Sequence, residues 1–221
     1  MTANEADKAE TGAETGGEDG DGAPAGDRRS YEGTNVHLVD ARTLRALAHP
    51  LRLRLLSALR EYGPATASGL GERLGESSGA ASYHLRQLAS HGLVEDAPEL
   101  GKGRERWWRA VHRGTAFNTG RFLSHPDPEV RGATGVILHE IATTHAQELN
   151  TWLGTMHEWP EAWHQSWDIS NFKVRLTPEL AHELTGKIHE LIESYQGVVP
   201  EGTEGSATVR SHVHVFPRPP E

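Results

Sequence analysis

From Val36 onward, apolar residues recur at helical spacing. Asp40 can cap a short helix carrying Leu44, Leu47 and Ala48. That helix ends at His49-Pro50, because the residue before a proline is pushed out of the helical region. A second helix follows, with Leu51, Leu55, Leu59 and Tyr62 on one face and Arg52, Arg54 and Arg60 outside it. Gly63-Pro64 stops it. Ala67, Leu70 and Leu74 line a short third helix capped by Thr66. Gly75-Glu76 predicts a turn, and Ser77 can cap a fourth helix.

In this fourth helix Ala81, Leu85 and Leu88 fall at i, i+4 and i+7 and point inward. Ser78, Gly79, Ser82, Tyr83, Arg86 and Gln87 then point outward, with His84 at the flank. Two short helices joined by a tight turn, the second with a small polar outer face, suit insertion into a DNA major groove. After Gly92, Leu93 to Asp96 reads as a strand, Ala97 to Gly103 as a hairpin tip with Pro98, Gly101 and Gly103, and Arg104 to Ala110 as the return strand. The order predicts a winged helix-turn-helix over residues 36–112.

The second half, 113–221, is expected to serve dimerisation or effector sensing. Pro126, Asp127 and Pro128 open a long helix, roughly Glu129 to Met156, with Val130, Ile137, Leu138, Ile141, Leu149, Trp152 and Leu153 as an apolar stripe. A dimer contact and packing against its own chain are both open to it. Trp159, Trp163 and Trp167 follow, either plain core or an aromatic pocket for a small apolar effector. Phe172, Val174 and Leu176 alternate with Lys173 and Arg175, which is strand periodicity. Thr177-Pro178-Glu179 starts a helix whose apolar face is Leu180, Leu184, Ile188, Leu191, Ile192 and Tyr195. Val209, Val213 and Val215 mark a last strand. The fold class is therefore α+β, mainly helical: a winged helix-turn-helix, a long helix and a small strand-helix-strand module.

Charge sharpens this division. Residues 1–30 hold eight acids and three bases, 40–110 hold 11 bases and eight acids, and 111–221 hold eight bases and 14 acids. The only basic segment of an acidic chain is the one with the groove-sized helix, and a local basic patch can dock on phosphates. Residues 1–35 are expected to be a disordered acidic tail, having too little apolar surface to offset ordering entropy. Cysteine is absent, which excludes disulfides, thiolate metal ligation and a cysteine nucleophile. No apolar run approaches the roughly 20 residues of a membrane span, and a cytoplasmic protein is expected.

Three separated motifs, "LAHPLRLRLL" at 47–56, "SYHLRQLASHGLV" at 82–94 and "GRERWWRA" at 103–110, resemble the ArsR-type family of bacterial transcription regulators. The resemblance covers about a third of the chain. It implies a recognition helix from about Ser77 to His91, a wing tip carrying Lys102, Arg104 and Arg106, and a homodimer that binds an inverted-repeat operator in double-stranded DNA and answers to an effector. The cysteine motif of the family's arsenic and cadmium sensors is missing, because that position reads "SGLGERLG". Gly69, Gly71 and Gly79 also stand where better helix formers are expected, each costing roughly 1 kcal/mol against alanine.

The DNA-contacting set is thus Ser77, Ser78, Gly79, Ser82, Tyr83, His84, Arg86, Gln87, Lys102, Arg104 and Arg106, against the plainer reading that these are solvated positions. The arginines of the first two helices read as solvated faces. Of the 14 histidines, His212 with His214 and His182 with His189 share faces, but neither pair has a strong chelate spacing. No metal, cofactor or catalytic residue is assigned. No glycine-rich phosphate loop, nucleophile elbow or paired-carboxylate site supports an enzyme. An enzyme is nevertheless the main competing class; a second alternative is a winged helix kept as a protein-interaction module without an operator, with a histidine-ligated metal sensor behind it.

Overall fold

The computed structural model describes residues 35–101 and 105–218. The acidic stretch before Asn35 lies outside them, as do Lys102, Gly103 and Arg104 of the wing tip. The chain divides into two compact units, Met1–Thr144 and His145–Glu221.

In the first unit the order is β1 (Val36–Leu38), α1 (Ala41–Leu47), α2 (Pro50–Tyr62), β2 (Ala65–Thr66), α3 (Ala67–Leu74), α4 (Ser78–Ala89), β3 (Val94–Asp96), β4 (Trp107–Ala110), β5 (Gly114–Ala116), α5 (Thr119–Leu123) and the start of α6 (Pro128–Thr155). Each early helix begins where a side chain can accept an orphan backbone N–H. Asp40 Oδ1 accepts from Thr43 N at 2.7 Å, Thr66 Oγ1 from Gly69 N at 3.1 Å, and Ser77 Oγ from Ala80 N at 3.1 Å. His49 caps α2 through Nδ1, which accepts from Leu51 N at 3.1 Å, with Pro50 at the first helical position.

The wing strands pair antiparallel in the order β2-β4-β3, with Val94 opposite Ala110 and Ala65 opposite Trp108. β1 and β5 form a separate parallel pair. Leu44, Leu55, Leu70, Leu85, Leu88 and Leu93 close the core with Trp108, which is 2% exposed. Of the two adjacent tryptophans, Trp108 is core and Trp107 half-buried. Phe122, Val130, Ala133 and Ile137 join the same cluster, so the core extends into α6. The stripe of α6 divides accordingly. Val130 and Ile137 are buried, whereas Ile141, Leu149 and Leu153 are exposed.

Gly71 explains one of the three costly glycines. A Cβ there would stand 2.8 Å from the Glu76 backbone oxygen, where the chain turns back to start α4. Glu76 N also donates to the Gly71 carbonyl at 2.8 Å. Gly75 completes the turn in the left-handed region at φ 69°. No comparable crowding surrounds Gly69 or Gly79.

The second unit holds the end of α6, single 3₁₀ turns at Met156–Glu158 and Glu161–Trp163, and α7 (Pro178–Glu193) capped by Thr177. The mainly helical α+β class stands. The strands expected around Phe172–Leu176 and Val209–Val215 do not form, since neither segment carries a ladder partner among the described residues. Alternation marks a segment that fits a sheet face, but a strand exists only when a neighbour supplies its backbone hydrogen bonds.

Candidate nucleic-acid interface

The turn at Gly75 sets α3 and α4 side by side, and Ala81, Leu85 and Leu88, each fully buried, fix the rotation of α4. The opposite face is then dictated by 3.6-residue periodicity. Ser77, Ser78, Gly79, Tyr83 and Arg86 are exposed, while Ser82, His84 and Gln87 are half-buried. One turn of helix separates Ser78, Ser82 and Arg86.

A cleft of about 300 Å³ lies between this helix and the wing, lined by Thr66, Ser68, Ser82, Arg86, Glu105, Arg106 and Trp108 among others. Three of the sequence-assigned residues, Ser82, Arg86 and Arg106, therefore meet around one cavity. Thr66 and Ser68 stand beside them, outside the set that the sequence points to. Their place at the start of α3, Thr66 as its cap and Ser68 in its first turn, is visible in the sequence, but the wing that faces them is not.

Arg86 makes no side-chain hydrogen bond or ion pair among the described residues. Glu76, the acid in the turn before α4, is held by Arg54 at 3.4 Å, and Arg54 also donates to the Leu74 carbonyl at 2.6 Å. Arg106 is arranged differently. Its Nε lies 3.0 Å from Asp96 Oδ2, and its guanidinium stacks 4.2 Å from the centre of the Trp108 ring. Further up the wing, Arg109 is held by both Glu95 and Glu99 at 2.7 and 2.5 Å. The remaining assigned wing cations, Lys102 and Arg104, lie outside the described residues.

His84 turns away from the open face. Its ring sits 4.2 Å from that of His49, and Nδ1 is buried without a hydrogen-bond partner among the described residues. Burial first, then the neighbouring His49 and Arg52, hold its pKa below the usual histidine value, while Glu76 pulls the other way. The ring is thus disposed to stay neutral at neutral pH.

In the second unit, His212 and His214 both meet His145. The His145 and His212 rings stack at 3.8 Å, and His145 Nδ1 lies 3.2 Å from His214 Nε2. His212 Nε2 faces Glu148 Oε2 at 3.0 Å. Stacked rings do not converge on one point. No group of three histidine, cysteine or acidic side chains among the described residues is disposed to hold a metal ion. The tryptophans form two pairs, Trp152 with Trp167 at 5.0 Å and Trp159 with Trp163 at 5.8 Å. No helix among the described residues is long and apolar enough to cross a membrane.

Comparison with known proteins adds an independent observation. Residues 47–97 match a family model described as a helix-turn-helix domain. Over 54 residues the chain is 46% identical to the HTH-type transcriptional regulator NmtR of Mycobacterium tuberculosis. That alignment covers 24% of this chain and 44% of NmtR, so the chain spans less than half the length of this relative. Among solved structures, RV1404 from Mycobacterium tuberculosis overlays at 14% identity and a TM-score of 0.27, covering 71% of this chain and 85% of the other. An apo mutant of ZitR from Lactococcus lactis does so at 16% identity and 0.26, covering 66% and 82%. Overlays at these scores do not bear on function.

Proposed function

We propose, from the match of residues 47–97 to a helix-turn-helix model and the ArsR-like likeness of this region, that this protein is a sequence-specific DNA-binding transcription regulator. α4 enters the major groove, and the wing lies along the backbone. Base edges are read by Ser78, Ser82, Tyr83 and Arg86, with Ser77, Gly79 and Gln87 around them and His84 at the flank, turned toward His49. Phosphates are met by Lys102, Arg104 and Arg106. The active species is a homodimer on an inverted repeat, because two symmetric helices must meet half-sites about 34 Å apart.

One observation carries this reading. The outer face of α4 presents small hydroxyl side chains and an arginine with no partner among the described residues, beside an open cleft. A protein-interaction face of this size would be richer in large apolar anchors. A guanidinium with free donors matches the O6 and N7 acceptors of guanine. Arg106, resting on Asp96 and Trp108, must exchange a weak exposed ion pair for a phosphate, and such pairs are worth at most about 1 kcal/mol.

The test is selection of bound duplexes from a random library, followed by titration at several salt concentrations. An enriched inverted repeat with a steep salt slope is the expected result. Recovery of no common sequence, with weak salt-insensitive binding, would favour the interaction module.

A further inference from the structure

Four described arginines between residues 35 and 110 are half-buried: Arg52, Arg54, Arg60 and Arg109. Three of them have acceptors. Arg54 donates to the Leu74 carbonyl, Arg60 Nε to the His112 carbonyl at 3.0 Å, and Arg109 to Glu95 and Glu99. Arg52 has none among the described residues, and its Nε is shut away from water without a hydrogen-bond partner.

Arg52 stands on α2, which packs against α4. Its charge is felt by His84 in the middle of α4 and by His91 just beyond it, and Tyr83 of α4 acts on Arg52 in turn. Tyr83 is 53% exposed on the recognition face. Of the two carboxylates named in these interactions, Glu76 is bound to Arg54 and Asp40 accepts from Thr43 N at the start of α1. A partly desolvated cation with no acceptor is costly, and its Nη groups, which unlike Nε are not shut away from water, are open to an anion. An arginine fork matches two oxygens of a phosphate.

We propose that Arg52 is a phosphate-contacting residue of the DNA interface, gripping the backbone beside α4 on the flank away from the wing. This rests on the DNA-binding reading and extends it. The wing cations hold one side of the recognition helix, and Arg52 holds the other. Two grips fix how the helix lies in the groove, which phosphate contacts do without reading sequence.

The experiment compares wild type, Arg52→Gln and Arg52→Lys by fluorescence anisotropy, on a duplex selected by the wild type and on its scrambled counterpart, across a salt series. Arg52→Gln should lower the salt slope by about 0.9 and weaken both duplexes alike, by roughly five- to tenfold at 0.1 M salt. Arg52→Lys, keeping the charge, should restore most of the slope. An unchanged slope for Arg52→Gln overturns the proposal while leaving the DNA reading intact. So does a loss confined to the selected duplex, or a loss that tracks a fallen unfolding temperature and is not rescued by lysine. A wild type that binds neither duplex instead removes the DNA reading itself.

Discussion

The two units use the same helical vocabulary and reach different ends. α4 and α7 both have a serine or threonine cap and apolar residues at helical spacing. On α4 those residues vanish completely: Ala81, Leu85 and Leu88 are each 0% exposed. On α7, Leu180 is 47%, Leu191 62% and Ile192 40% exposed, and no described residue from 138 to 218 is buried. Among the described residues, every buried one lies between Val39 and Ile137. Periodicity states which face of a helix is apolar. Only the neighbours decide whether that face is covered.

Stability measurements can break this contrast. Leu85→Ala should cost about 2–5 kcal/mol, the loss of buried methyl groups plus the cavity they leave. Leu191→Ala should stay within about 0.5 kcal/mol, as expected of an exposed position. Urea denaturation followed by circular dichroism measures both. Equal losses would mean that α7 is as well covered as α4.

Gly71→Ala comes next. Its Cβ would press on backbone rather than on a side chain that can swing away, so about 1–3 kcal/mol should be lost. Gly69→Ala and Gly79→Ala lack that obstruction and should be neutral or stabilising. A neutral Gly71→Ala would show that the turn into α4 can shift without cost.

Much of this is legible in the sequence. The caps Asp40, Thr66, Ser77 and Thr177 and the inward set Ala81, Leu85 and Leu88 are local features, and local spacing carries them. Gly71 is legible only as an anomaly, because the reason for it is a carbonyl brought close by the following turn. The absent strands at Phe172–Leu176 and Val209–Val215 have the right period but no partner to complete a ladder. Arg52 reads as a solvated position, because neither its burial nor its missing acceptor is written in its neighbours along the chain. The core contributions of Phe122, Val130 and Ile137 come from beyond the wing, where composition gives no hint of continuity.

A smaller effect separates the units by pH. Burial first, then His212 and His214, hold the His145 pKa below its ordinary 6.5, with Arg210 adding to this and Glu148 opposing it. His145 therefore binds more protons when the 209–215 segment is released than when it is docked. The attachment of that segment is complete above about pH 6.5 and weakens as the pH falls below that value. Hydrogen exchange of amides 209–215, corrected for intrinsic rates, should speed up between about pH 7 and pH 5.5. A constant corrected rate would show that the histidine cluster does not hold this segment.

The most direct test of base reading by α4 is Arg86→Ala, titrated against a selected duplex and its scrambled counterpart. A bidentate contact to guanine discriminates by about 1–3 kcal/mol, so the selected duplex should lose roughly 5- to 150-fold in affinity. The scrambled duplex should lose much less. An equal loss on both would place Arg86 on phosphate and contradict base reading by this face.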